Sequence, residues 1–302
     1  MGGQGAKPPG RPLIPADWPN RSSSRFVTAG GLRWHVQVAG SGPVLLLVHG
    51  TGAATHSWRD LLPLLARHFT VVAPDLPGHG FTQRPRAEGL SLPGMARGVT
   101  TLLRALGLKP ALAAGHSAGA AVIARMTLDG GIAPRALVGL NAALLPFEGL
   151  AGQIFSPIAR LLSGLPAVPW FFAWRAGDRG LVERLLRDTG STLDPRGVEL
   201  YGRLVRQPGH VAAALGMMAH WELRPLLRDL KALSVPLVLV VGGHDRTVPP
   251  SDARRIRAAV PGTRILDLPA LGHLAHEERP AEVAGILLRI AEEAGALAAV
   301  TA

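Results

Sequence analysis

Apolar residues in this chain fall into short runs parted by glycine, proline and charged positions, and the runs alternate between two periods. Val44–Val48 is a continuous apolar run, as a strand buried on both faces requires, and Phe69–Ala73 is a second. Arg25–Ala29 and Leu32–Val38 alternate more openly and flank Gly30-Gly31, which predicts a hairpin with a tight turn. Further strands are predicted at Ala111–Ala114, Ala136–Leu140, Leu237–Val241 and Arg264–Leu268. Helical spacing covers Leu92–Leu106, Ala120–Leu128, Asp252–Ala259 and Ala281–Ala294. Strands that alternate with helices after an antiparallel start predict an α/β fold with a mostly parallel central sheet flanked by helices.

The alternation breaks between Leu144 and Arg228, where only helical periodicity remains, punctuated by proline and glycine. This stretch is read as a helical cap inserted over the carboxyl edge of the sheet. The predicted organisation is an arm at residues 1–15, a core at 16–143, a cap at 144–228 and the rest of the core at 229–302. The cap holds Trp170-Phe171-Phe172-Ala173-Trp174, read either as ordinary packing of cap on core or as an apolar ligand wall or membrane-facing patch.

Composition narrows the picture. The arm is rich in glycine and proline and lacks the apolar segment of a signal peptide, so the cytoplasm is the expected compartment. No uninterrupted apolar run is long enough for a transmembrane helix. Absence of cysteine excludes disulfides, thiolate metal sites and cysteine nucleophiles. The net charge of +11 rests almost wholly on arginine and favours anionic ligands, acidic proteins or an anionic membrane surface; biased genome composition produces the same excess. The arginines are scattered without a recognisable nucleic-acid module, so no nucleic-acid partner is expected.

The chemistry begins at Gly115-His116-Ser117-Ala118-Gly119, which joins a predicted strand to a predicted helix with serine at the apex. That is the context of a nucleophile elbow, a crowded turn that needs small neighbours. Asp245 follows the strand Leu237–Val241 and His273 follows Arg264–Leu268, giving the chain order nucleophile, acid, histidine. Ser117 is therefore the candidate nucleophile, His273 its general base and Asp245 the group that orients the imidazole. Asp75 is the runner-up acid. The turn His49-Gly50-Thr51-Gly52 after Val44–Val48 predicts an oxyanion hole made by the amides of Thr51 and Ala118. His49, Gly50 and His116 around the elbow, with Trp170, Phe171 and Trp174 in the cap, are the candidate substrate-binding residues; packing at the elbow is the other reading of His116, and support of the oxyanion turn that of His49. His244 and His276 flank the triad as supporting groups. No His-Glu-x-x-His spacing occurs, so no metal and no cofactor are expected.

Together these motifs resemble the α/β-hydrolase superfamily from about Phe26 to Ala291. Three further segments narrow the resemblance: Asp17-Trp18-Pro19-Asn20-Arg21 before the first strand, Gly31–Gln37 forming the second, and Gly139–Phe147 opening the cap. With Phe155–Leu162 they are similar to the magnesium chelatase accessory protein family of bacteriochlorophyll biosynthesis, the BchO family. The resemblance implies a photosynthetic bacterium, a role near magnesium insertion into protoporphyrin IX, a small-molecule substrate of tetrapyrrole type and magnesium chelatase subunits as partners; the Trp170–Trp174 aromatics and the positive charge add an expected peripheral contact with the photosynthetic membrane. The intact triad suits ester or thioester hydrolysis. A noncatalytic porphyrin- or chelatase-binding protein is one alternative, and a generic carboxylesterase or haloperoxidase-like perhydrolase is the other.

Overall fold

A computed structural model of the protein describes residues 13–146, 170 and 179–298. Its centre is an eight-stranded sheet in the order β1-β2-β4-β3-β5-β6-β7-β8. β1 (Ser24–Ala29) and β2 (Leu32–Ala39) form the predicted hairpin, with Gly30 and Gly31 at φ +57° and +75°, the left-handed pair that a two-residue turn needs. β2 runs antiparallel to β4 (Thr70–Pro74), and every later pairing is parallel: β3 (Val44–Val48), β5 (Pro110–His116), β6 (Ala136–Leu140), β7 (Leu237–Gly242) and β8 (Arg264–Leu268).

Two apolar layers clamp the sheet, and strand alternation sorts residues between them. Leu46 and Val48 of β3 face one layer, and Leu45 and Leu47 face the other. The first is covered by α2 (Leu92–Leu106) and α3 (Ala118–Leu128), the second by α1 (Leu61–Leu65) and the carboxyl-terminal helix. On α2 the buried residues Met95, Val99, Leu102 and Leu103 recur at helical spacing and form one stripe. Ser91 starts that helix by accepting the Gly94 N–H at 3.2 Å, and Pro93 sits in the first turn, where its missing donor costs nothing. Each fully enclosed leucine contributes roughly 1.5–3 kcal/mol, so these layers supply the main driving force.

The stretch between β6 and β7 carries four described helices, α4 (Arg179–Asp188), α5 (Pro195–Val205), α6 (Pro208–Ala219) and α7 (Arg224–Asp229), the last of which packs into the α2 and α3 layer through Leu226. After β7 come α8 (Pro250–Ala259), α9 (Ala275–Glu278) and α10 (Pro280–Glu293). Leu144 and Leu145, where the cap is predicted to begin, are buried in the core. Phe171, Phe172 and Trp174 lie outside the described residues, whereas Trp170 is 68% exposed.

Strand order places the site. The chain goes from β3 outward to β4, then returns across β3 to β5 on the opposite side. The loops leaving β3 and β5 therefore diverge and open a crevice at their carboxyl ends, the place where open parallel sheets bind ligands.

Candidate active site

Ser117 stands in that crevice, between the end of β5 and the start of α3. Its backbone lies at φ +51° and ψ −119°, outside the regions that non-glycine residues ordinarily occupy. Such a conformation costs about 1–3 kcal/mol and persists only where neighbours enforce it. Here Ser117 N–H donates to Leu140 O at 3.0 Å, and Ser117 O accepts from Ala120 and Ala143 N–H, both at 3.1 Å. The flanking glycines are sterically required: a Cβ on Gly119 would meet Val48 O, and one on Gly115 would meet the Gly119 backbone.

Asp245, on the loop after β7, is buried, and its carboxylate is fully engaged. Oδ1 accepts Thr247 and Val248 N–H, each at 2.8 Å. Oδ2 accepts Asn141 Nδ2 at 2.9 Å and His273 Nδ1 at 2.8 Å. A carboxylate only accepts, so Nδ1 of His273 carries the proton and Nε2 of the neutral ring is the basic atom. The structure thus brings the predicted acid and base together. It puts Ser117 at the same sheet edge, although among the described residues its Oγ makes no hydrogen bond.

The turn after β3 is held from beneath. His49 accepts the Leu76 N–H on Nε2 at 2.9 Å and donates from Nδ1 to Gly50 O at 2.8 Å, which commits both ring nitrogens. Gly50 packs closely on the elbow, since a Cβ there would lie 3.0 Å from the Ser117 Cβ. Thr51 is half-buried at the tip of the turn, and Ala118 opens α3, where first-turn N–H groups lack helical partners.

The sequence pattern of the Alpha/beta hydrolase family matches residues 45–286. The chain belongs to that family. Within it, the chain is 39% identical over 280 residues to the magnesium-chelatase 30 kDa subunit of Rhodobacter capsulatus, covering 91% of this chain and 96% of the relative. It is 26% identical over 269 residues to a 2-hydroxy-6-oxo-2,4-heptadienoate hydrolase of Pseudomonas putida, covering 86% and 93%. Among solved structures, an α/β hydrolase fold protein of Burkholderia ambifaria superposes with a TM-score of 0.73 at 25% identity, covering 88% and 97% of the two chains.

Around the site, this α/β hydrolase carries several enclosed histidines. His116 donates from Nε2 to His273 O at 2.9 Å, and its ring packs 4.7 Å from that of His273 and 4.5 Å from that of His276. Burial pushes His116, His49 and His79 below the ordinary imidazole range and takes His276 down to about 3. His49 and His116 are both enclosed, and these bonds favour the other reading of each, turn support for His49 and packing for His116. His49 bonds within the turn after β3, and His116 bonds to the His273 loop. His276 packs against Trp58 and His116 as a supporting group, whereas His244 is exposed.

Asp75 is settled by its contacts. It accepts from His35 Nδ1 at 2.6 Å, Thr55 N–H at 2.7 Å and Phe81 N–H at 2.9 Å. Burial alone would raise its carboxyl, but the His35 imidazole and the Phe81 N–H hold it well below the usual range. Its carboxylate ties β2 and the Thr55 turn to its own loop.

Sequence reasoning missed the cap residues that reach the site. His210 of α6 donates from Nε2 to Gly52 O and accepts the Gly80 N–H on Nδ1, both at 3.0 Å. Ser191 Oγ accepts the Leu274 N–H at 2.8 Å. Tyr201 of α5 donates to Glu277 at 2.7 Å, and Arg59 ion-pairs with the same carboxylate and with Asp194. Burial pushes Glu277 up, to about 7, against the pull of Arg59 and Tyr201. Among the described residues, no cluster of histidine and acidic side chains is arranged to hold a metal ion.

Proposed function

We propose that this protein is a serine hydrolase that cleaves an ester or thioester, with Ser117 as nucleophile, His273 as base and Asp245 as acid. The observation that carries the reading is the 2.8 Å bond from His273 Nδ1 to Asp245 at the sheet edge where Ser117 is held at φ +51°. Ser117 Oγ attacks the carbonyl carbon while His273 Nε2 takes its proton. The oxyanion that forms is met by the Thr51 and Ala118 N–H groups. Collapse expels the alcohol or thiol, which takes the proton from His273, and water then releases the acyl group by the same route.

The test is labelling by a fluorophosphonate together with hydrolysis of p-nitrophenyl acetate. Ser117→Ala is expected to abolish labelling and to lower kcat by at least about a thousandfold. Undiminished labelling of that variant would remove Ser117 from the nucleophile role.

The pathway reading rests on the relationship to the Rhodobacter capsulatus subunit. The protein serves bacteriochlorophyll biosynthesis beside magnesium chelatase, and its substrate is a carboxyl derivative, with a tetrapyrrole as the favoured scaffold. That relative is named as a subunit, which favours a second reading as a noncatalytic accessory that binds porphyrin or the chelatase. A Ser117→Ala strain separates the two. Normal pigment would show catalysis to be dispensable, and accumulation of an intermediate would identify the blocked step. Among the described residues no helix is long and apolar enough to cross a membrane, so the membrane contact proposed is peripheral. Flotation with anionic vesicles tests it, and failure to co-float removes it.

A further inference from the structure

The segment leaving β6 touches Ser117, Asp245 and the residue just before His273. Leu140 O and Ala143 N–H bracket the Ser117 backbone. Between them, Asn141 has φ +48°, one of three non-glycine positive φ values among the described residues, another being Ser117 itself. Its side chain is buried, and Nδ2 lies 2.9 Å from Asp245 Oδ2 and 3.2 Å from Gly272 O, the carbonyl just before His273. A carboxamide nitrogen has two hydrogens, and these two acceptors use both. Flipping the amide would set oxygen against two oxygens, so the orientation is dictated. The cost is visible in Asn141 Oδ1, which is buried without a hydrogen-bond partner.

We infer that Asn141 is a positioning residue whose carboxamide clamps the acid Asp245 to the loop carrying the base His273. The inference rests on the Ser117 hydrolase reading and deepens it. Thr247 and Val248 hold Oδ1 from the acid's own loop, so Asn141 is the group besides His273 itself that ties Oδ2 to a different strand end. Two fixed oxygens set the carboxylate plane, and that plane sets the direction of the imidazole. Other charged or titratable groups around the couple are Glu278, which accepts the Gly272 N–H at 2.9 Å, Arg246 one residue past the acid, and the His116 and His276 rings.

Two variants separate the donor from the backbone. Asn141→Gly relieves the positive φ and removes the amide. Asn141→Asp keeps the size and tolerates the same φ but turns a carboxylate toward Asp245. A backbone role alone would leave Asn141→Gly at wild-type kcat. The clamp predicts a kcat for p-nitrophenyl acetate lowered about 10- to 100-fold in Asn141→Gly and further in Asn141→Asp, with KM within about threefold. Facing carboxylates raise the folded-state value of one of them, so Asn141→Asp is most stable at low pH and loses that stability as pH rises. Its melting temperature should approach that of wild type near about pH 5, whereas the Asn141→Gly difference should not depend on pH. Wild-type kcat in Asn141→Gly, or a pH-independent deficit in Asn141→Asp, overturns the clamp. The His273 Nδ1–H resonance reads the same bond without turnover: protected in wild type and exchange-broadened in Asn141→Gly if the clamp holds, unchanged in both if it does not. An inactive wild type would end the hydrolase reading and leave this measurement intact.

Discussion

Two buried residues near the elbow invite opposite experiments. Asp75 and Asp245 are both enclosed carboxylates with several donors, yet only Asp245 faces an imidazole in the crevice. Asp75→Asn is expected to destabilise the fold by about 2–4 kcal/mol, because a hydrogen-bonded buried charge is lost, while its folded fraction still takes the fluorophosphonate. Asp245→Asn should fold and lose labelling, since the amide favours the wrong imidazole tautomer. His210 makes a different prediction. Burial holds it at about 4, so the folded protein binds fewer protons than the unfolded chain. Stability from this group is present above pH 6.5 and drains away toward pH 4, by about 3 kcal/mol. His210→Gln keeps one donor and one acceptor, so chemical denaturation of that variant across this window should show a shallower loss. An unchanged slope would assign the acid sensitivity elsewhere, to His276 first.

At the level of elements, the segment before β1 acts as a strap. Trp18 is buried against Phe81 at 4.8 Å, edge to face, and donates to Thr55 Oγ1 at 3.2 Å. It shares an apolar cluster with Leu200 and Leu204 of α5. Asp17 accepts from both Arg196 and Arg203 on that helix. Trp18→Ala should cost about 3–5 kcal/mol in equilibrium unfolding, as truncation of a buried aromatic does. Asp17→Asn, at an exposed pair, should cost far less. The Asp-Trp-Pro-Asn-Arg segment was legible as a distinctive motif, but its role was not, because the helix it grips lies far along the chain. The strands were legible for the opposite reason: a strand buried on both faces must be apolar at every position, and that mark survives without tertiary context. β4 starts one residue later than Phe69 because Phe69 N–H still closes α1 on Leu65 O at 3.0 Å. α1 itself escaped notice, being a single short turn with proline inside. Asp245 and His273 were legible from their places after strands, whereas Asn141, Ser191 and His210 act through contacts that no local pattern encodes.

Over the whole molecule, the excess positive charge is unevenly spread. The layer built from α2, α7 and α8 exposes Arg97, Arg104, Arg224, Arg228, Lys231, Arg254 and Arg257. The opposite layer sets Glu282 and Glu293 against Arg67, Arg264, Arg279 and Arg289, with Glu293 paired to Arg264. A surface with that polarity orients an approaching anion before any contact forms. Arg254→Glu/Arg257→Glu should therefore elute from a cation exchanger at lower salt than Arg67→Glu/Arg289→Glu, although the two pairs change net charge equally. Coincident elution would mean that the asymmetry is not felt at a distance.

The stretch between α4 and α5 passes between the Asp245 and His273 loops. Arg246 N–H donates to Thr189 O, Leu274 N–H to Ser191 Oγ, and Thr192 N–H to Glu278. The scaffold and its insertion are thus not separate inventions here. A segment grafted here from another family member would arrive without the groups that finish the His273 loop, so on the proposed reading the swap disturbs the base as well as the ligand side.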